Sequence, residues 1–483
     1  MRTWARGSGS PSSSAPRSLP TRRSPGRRCA RGALGQPREH VARGQARQTQ
    51  VRGAVATVTR ADSAPPRSER RLSLQTFSAF QSRNFTLLWA NNMTFALSQS
   101  MRQFAFTWLA LELFDSGQAL GLIIFALGLP ILVFGLPAGA LADRIDRRLL
   151  LFASQVGGVA VTLLTAVLIW ADVMTTGLTM ALALALGATV AFGQPVRVAI
   201  VPSLVERSRL LNAVTLMSLS QNVSMIAGPA IGGAMIALGG VGAAFAGQSV
   251  LLGIGLIALL PMRVPSIDRS GPRRHLGAEV REGLAFVAGH PGIRTLMLVL
   301  MTTALVMAGT FMTLLPKIAK EDLNVGAFET SMFFTAMGVG MLMSSLLLAS
   351  FSRLDRAGLW FIVTLITGGT LNAAFGVSLW YVASVAIMFA TGWNAGFFTN
   401  LNLTLIQANT PHEVMGRVMS IYTLAMAGGM PLGGLLAGLM ADVWGSREWF
   451  VACGLALVAI AIVVLFTQPS LRRMRSSGGE TPE

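Results

Sequence analysis

The side chains that could do chemistry in this 483-residue chain are polar groups set inside apolar runs. The stretch from Asn91 to Gln103 carries Asn91, Asn92, Ser98, Gln99, Ser100, Arg102 and Gln103 in a segment otherwise suited to lipid. Each such group is costly in hydrocarbon, so this segment is expected to line a polar cavity. Arg102 reads as the one cation deep in an apolar run without a charged neighbour in sequence. It suits an anionic or carbonyl-rich ligand, or else is satisfied by carbonyls or by reaching outward. The expected substrate-cavity candidates are Asn92, Gln99, Arg102, Asn222, Thr303 and Asn394. The amides and hydroxyls among them have a second use, which is to hydrogen-bond helices together. Glu112, near the end of the first apolar run, is the best-placed carboxylate for proton exchange. The middle of that run has no acid, which argues against a site for cationic compounds.

Other chemistries find no support. A phosphate-binding loop needs a Gly-rich turn ending in Lys-Ser/Thr, and neither "LLPKI" nor "IAKED" supplies one. His40, His275, His290 and His412 fall in loops or in the amino-terminal tail, without metal-ligand spacing. Cys29 and Cys453 make neither a disulfide framework nor a thiolate metal site. The expectation is therefore no enzyme, no metal, no cofactor and no nucleic-acid partner.

The elements that must position these groups are membrane helices. Hydrophobic residues make up 52% of the chain, charged ones only 12%, and mean hydropathy is +0.57, far from the roughly one-quarter charged residues of a soluble domain. Apolar runs long enough to span a bilayer recur from Asn84 onward. Twelve are expected, at about 85–112, 118–142, 148–170, 175–203, 209–238, 242–262, 292–318, 327–351, 358–377, 379–408, 413–441 and 446–467. Arginines cluster in alternate loops, as at Arg144/Arg147/Arg148, Arg207/Arg209 and Arg353/Arg356, while Glu112, Asp172, Asp322, Asp442 and Glu448 mark the other side. By the positive-inside rule both termini face the cytoplasm of a multi-pass inner-membrane protein.

Most of the net charge of +18 lies outside the spans. Residues 1–72 hold 16 arginines against Glu39, Asp62 and Glu69. Residues 1–75 read as a disordered Arg/Ser/Pro-rich leader: a transit peptide, an anchor for anionic lipid, or the product of a translation start set too far upstream. The remaining boundaries are a first half at 76–262, a linker with an amphipathic helix at 263–291, a second half at 292–467 and a tail at 468–483.

Internal repetition ties the halves together. "RIDRRLLLF" (Arg144 to Phe152) is echoed by "RLDRAGLWF" (Arg353 to Phe361), and "GPAIGG" (Gly228 to Gly233) by "GMPLGG" (Gly429 to Gly434), in the same order. Two related six-helix halves follow, an architecture of transporters. Gly228, Pro229, Gly232 and Gly233, with Pro431, Gly433 and Gly434, bare a helix face for close backbone approach and bend the helix. Bent, smooth helices suit halves that rock, and equally suit static tight packing.

"GALADRIDRRLLL" (Gly139 to Leu151) resembles the signature loop of the major facilitator superfamily, G-x-L-A-D-R-x-G-R-R/K-x-x-L, with Asp146 in place of the second glycine. "VPSLVERSRLLNAVTLMSLSQNVSMIAGPAIGG" and "LIQANTPHEVMGRVMSIYTL" resemble the branch that holds the enterobactin exporter and macrolide efflux proteins. The resemblance covers about residues 76–470. It implies an all-α, twelve-helix fold in two pseudo-symmetric halves and a monomeric secondary exporter of a small organic molecule. It also implies alternating access, proton-coupled antiport and contact with membrane lipids. Its signature residues here are Gly139, Asp143, Arg144, Arg147 and Arg148, with Arg353, Asp355 and Arg356 as the second-half counterpart. Asp143 is expected to latch onto the start of the eleventh span near Arg417, where a helix dipole is positive. Members of the branch often carry an acid in the first helix where this chain reads "SQSMRQ". An uptake carrier of the same fold and a non-transporting receptor or scaffold are the alternatives the residues leave open.

Overall fold

The computed structural model describes residues 78–114, 116–142, 146–262, 276–351, 354 and 356–474. The leader, Asp143, Arg144, Arg353, Asp355, residues 263–275 of the linker and the last residues of the tail lie outside that set. The described residues form helices α1 (Arg83–Leu113), α2 (Gly117–Ala142), α3 (Arg147–Trp170), α4 (Thr176–Leu204) and α5 (Leu210–Leu259). A short α6 (Leu276–Gly289) follows, then α7 (Pro291–Thr303), a π-helical turn (Ala304–Ala308) and α8 (Gly309–Glu321). The chain ends with α9 (Ala327–Ala349), α10 (Ala357–Val377), α11 (Tyr381–Ala408), α12 (His412–Trp444), α13 (Ser446–Thr467) and α14 (Pro469–Arg473).

Helix starts follow local chemistry. Ser82 caps α1, Thr175 caps α4, and Asp146 caps α3 by accepting from the Arg148 amide at 2.8 Å. Asp146, the residue that replaces a signature glycine, thus has a local structural use. α5 cannot be one straight helix, since 50 residues would extend about 75 Å, more than twice a bilayer core. It breaks at Gly239 and Gly240, whose backbones are non-helical. Gly240 has φ +75°, a conformation open mainly to glycine, so the two arms of α5 meet at a turn that needs that residue.

Ten described helices are long and apolar enough to cross a membrane, with α7, the π turn and α8 acting as one. The two arms of α5 count there as a single span, and α1 is absent from the set because of the polar groups along it. Both features together account for the twelve segments read from the sequence.

The packing is lopsided along the helix axes. At the rim where α1 ends and α2 begins, one buried cluster takes in both halves, from Phe104 to Leu111 and Leu120 to Leu127 through Phe311 to Ala319 and on to Ala441. At the opposite rim the core of the described residues splits. One cluster, including Phe85, Leu151, Ile200 and Leu259, belongs wholly to the first half. Another, including Leu296, Phe361, Leu405 and Leu457, belongs wholly to the second. The same division shows in α12: eight residues from Gly428 to Ala441 are buried, whereas Val418 alone is buried among residues 412–427.

The joined rim depends on small residues. A β-carbon on Gly121 would lie 2.8 Å from the Gly434 carbonyl oxygen, and one on Gly233 would lie 2.8 Å from the Ala327 carbonyl oxygen. Backbone approach of this kind supplies dispersion contact where lipid offers no hydrophobic driving force. The α2–α12 and α5–α9 crossings are the two extensive seams between the halves.

Candidate functional site

The two glycine repeats occupy equivalent places. Gly228 and Gly232 abut Ser100 and Met101 of α1, while Gly429 and Gly433 abut Ala304 and Leu305 in the π turn that follows α7. Gly233 crosses to α9 at Ser331, and Gly434 crosses to α2 at Ile124 while also touching Thr313 of α8. Pro431 lies against Gly128 of α2. In each half, therefore, one repeat braces the half's own first helix and presents a bare edge to the other half.

Between the halves lies a cavity of about 190 Å3. α1 contributes Ser100, Gln103, Phe104 and Thr107, a stripe at helical spacing. The rest of the wall is apolar: Met225 and Pro229 of α5, Met312 of α8, and Phe334 and Met337 of α9. Adaptable methionines and few polar groups suit an organic ligand held mainly by contact. The volume is below the roughly 300–1,000 Å3 of ordinary ligand pockets, so a larger cargo requires the walls to part.

The expected cavity residues fall elsewhere. Gln99 and Arg102 occupy a different stripe of α1, turned into the first half. Asn92 donates to the Ser220 hydroxyl at 2.6 Å, tying α1 to α5. Asn394 donates to the Thr364 carbonyl at 2.9 Å and accepts from the Thr367 hydroxyl at 2.6 Å, tying α11 to α10. Thr303 ends α7 with its Oγ1 buried and unpartnered. Asn222 is exposed on α5, one turn from Met225. Ser100, Gln103 and Thr107 hold the polar positions of the inter-half cavity instead. Helix rotation decides this, and neighbouring residues of one polar run give no clue to it.

Glu112 is exposed at the joined rim, where it accepts from the Trp108 indole at 2.8 Å. Close by, Lys320 of α8 donates to the Leu111 carbonyl at 2.7 Å, a link between halves. The most articulated link is one the sequence reading passed over. Asp442, near the end of α12, accepts from the Gly117 amide at 2.7 Å, the Gln118 amide at 2.9 Å and the Ser116 hydroxyl at 3.2 Å. One carboxylate from the second half thus caps α2 of the first, where the helix dipole is positive. The available signal was an acid at the end of the helix that carries the second glycine repeat.

At the opposite rim, Gly139 lies in the last turn of α2. Arg147 donates to the Ala199 carbonyl at 3.1 Å and Arg148 to the Leu260 carbonyl at 2.8 Å, so both bind the first half internally. Arg356 precedes α10 with a left-handed backbone, φ +61°. Arg417, near the start of α12, pairs with Glu282 of α6 at 2.5 Å, and α6 packs its Gly283 against Arg417 and Ile421.

A second buried arginine corrects the reading of Arg102 as the one interior cation. Arg197 in α4 is 1% exposed. Its Nε donates to Asn91 Oδ1 at 3.2 Å, its Nη2 to Gln155 Oε1 at 2.6 Å, and its guanidinium lies 3.4 Å from the Phe95 ring centroid. The signal was the same as for Arg102, a lone cation in the apolar run "PVRVAI".

Comparison with known proteins places the whole arrangement. The family described as "Transmembrane secretion effector" matches residues 74–479. Macrolide efflux protein A of Streptococcus pyogenes is 27% identical over 394 residues, covering 78% of this chain and 94% of that protein. The enterobactin exporter EntS of Shigella boydii serotype 18 is 26% identical over 280 residues, 57% of this chain and 65% of the exporter, just under two-thirds of its length. Among solved structures, a bacterial homolog of the human lysosomal transporter Spinster, inward-facing and occupied, superposes with TM-score 0.66 at 15% identity, covering 84% of this chain and 99% of that one. The nucleoside transporter NupG superposes with TM-score 0.62 at 13% identity, covering 80% and 99%. These likenesses show the fold.

Proposed function

Because this chain belongs to the transmembrane secretion effector family of major facilitator transporters, we propose that it exports a small organic compound across the bacterial cytoplasmic membrane by alternating access. The observation that carries the reading is the lopsided closure: one rim is sealed by a core shared between the halves, and the other holds two separate cores. A cavity between two such halves is reached from one side at a time. The cationic loops with Arg147, Arg148, Arg207, Arg209 and Arg356 lie at the separated rim, and by the positive-inside rule this supports a cytoplasmic location for that rim and for both termini. The cavity then faces inward, in the state that loads an export cargo.

Reciprocal capping supplies the switch. Asp442 at the end of α12 caps the start of α2 in this state. For Asp143, which follows α2 in sequence, the proposed role is to engage the start of α12 when the cytoplasmic rim closes. Macrolides and siderophores, the cargoes named for the relatives, are the first compounds to try. Proton antiport is the proposed driving reaction, with Glu112 as proton carrier at the outer rim.

The test is retention of a macrolide and of a catecholate siderophore in energised cells with and without the gene. Export predicts more retained compound without it; equal retention of every compound tried would sink the reading. A proton ionophore should abolish efflux, and efflux unchanged by it would remove proton antiport while leaving export standing.

A further inference from the structure

The polarity of the inter-half cavity is one-sided. Ser100, Gln103 and Thr107 stand on α1, whereas α5, α8 and α9 present only thioethers, a proline and an aromatic ring. That ring, Phe334, is held in place by edge-to-face contact with Phe104 and Phe311, at centroid distances of 5.8 and 5.9 Å. The methionines around it are the adaptable part of the wall.

The polar groups of α1 differ in what they are free to do. Earlier in the helix, Asn91 donates to the Gly255 carbonyl at 3.0 Å and Asn92 to Ser220, so both amides are spent on packing. At the cavity, the Thr107 hydroxyl donates to the Gln103 main-chain carbonyl at 3.0 Å. The Ser100 hydroxyl and the Gln103 carboxamide line the cavity with no hydrogen-bond partner among the described residues. Together they offer donors and acceptors along about one turn of helix. Such groups disfavour a pure hydrocarbon, which would strip their water and return no hydrogen bond.

No charged side chain is among the described residues that line the cavity. Arg102, next to Gln103 in sequence, is on the other stripe of α1 and lines the smaller cavity inside the first half. Toward the joined rim, Glu112 is engaged by the Trp108 indole and Lys320 by the Leu111 carbonyl. An ion enclosed here would give up its hydration with no counter-charge to replace it, which is strongly unfavourable.

We propose that the cavity selects an uncharged cargo with an apolar body and one hydrogen-bonding edge, the edge being read by Gln103 and Ser100 and the body held by Phe334 and the methionines. This rests on the reading of the inter-half cavity as the place where export cargo is loaded. An ionisable cargo enters in its uncharged form. Gln103, which has both donors and an acceptor to give, is the residue that sets specificity.

Three small probes test the assignment: acetanilide, phenylacetate and phenyltrimethylammonium. All are built on a phenyl ring with equal numbers of non-hydrogen atoms, and they differ in being neutral, anionic and cationic. Each is titrated against the full chain purified in detergent and read by ligand-detected NMR, with empty micelles as background. Acetanilide should bind saturably and at least about tenfold more tightly than either ion. Gln103→Glu keeps the shape of the wall but gives it a carboxylate, so it should tighten phenyltrimethylammonium by at least about tenfold over wild type. No saturable acetanilide binding, an ion bound as tightly as acetanilide by wild type, or a cation bound no better by Gln103→Glu overturns the assignment. Should Gln103→Glu fail to fold, the wild-type order of the three probes decides alone. The titration does not read transport, so an ion bound as well as acetanilide would end this assignment with export untouched. Equal retention in cells with and without the gene would end export with the order of the probes standing.

Discussion

Arg197 holds the first half together through groups that have no other use for their acceptors. Replacing it by Met keeps much of the volume but leaves Asn91 Oδ1 and Gln155 Oε1 without a donor in a buried site. Two unsatisfied acceptors cost roughly 2–6 kcal/mol, so Arg197→Met should unfold at a clearly lower temperature in detergent, as read by size-exclusion survival after heating. A melting temperature equal to that of wild type would show the network to be dispensable. Asp442 acts differently, because it is exposed and its three hydrogen bonds join halves rather than hold a core. Asp442→Asn should leave thermal stability near wild type while relaxing the closed rim. Its charge at the start of α2 contributes about 1 kcal/mol at most, a shift of about fivefold in the balance of states.

At the scale of the helix, the seams are specified by what is missing from them. Gly121 faces the backbone of α12 at Gly434 and Leu435, which cannot yield as a flexible side chain would. Gly121→Val should therefore keep the joined rim from closing and, under the proposed function, abolish export, with the protein still inserted in normal amount; export at the wild-type rate would show that the seam is not a gate. Gly240→Ala, where a β-carbon meets open space, should cost about 1–2 kcal/mol through its positive φ alone; a melting temperature equal to wild type would show that the turn does not need glycine. Most of this layer was legible in the sequence. The apolar runs are long, the Gly239–Gly240 break falls where the fifth and sixth spans were divided, and the echo of "GPAIGG" in "GMPLGG" marks the two seams. What stayed hidden depends on rotation about each axis. Ser100 and Gln103 face the inter-half cavity while Gln99 and Arg102, their immediate neighbours, face away, and no feature of an unbroken polar run separates the two pairs. Asn394 was hidden for a related reason, since an amide that glues α10 to α11 is chemically the same as one that binds a ligand.

For the molecule as a whole, the two rims cannot be shut together if the halves rock as rigid bodies. Ser420 and Thr423 are exposed on the stretch of α12 that has left the seam. A cysteine at Ser420 should react readily with a maleimide in wild type, and a few-fold more slowly once Asp442→Asn favours the opposite state. An unaltered rate in the double variant would uncouple the rims. Arg102 and Arg197 stand in plain view in the sequence, but that neither meets a carboxylate among the described residues became evident only with α1, α3, α4 and α5 assembled around them. The cap on α2 also bears on how the chain is made. Gly117 and Gln118 obtain their acceptor from a residue that follows Gly117 by 325 positions. A ribosome delivering the first half to the membrane therefore delivers α2 with its leading amides bare, and water or lipid headgroups must serve them until α12 arrives. The first half is built as an unfinished piece, and its completion waits for the last helices to be synthesised.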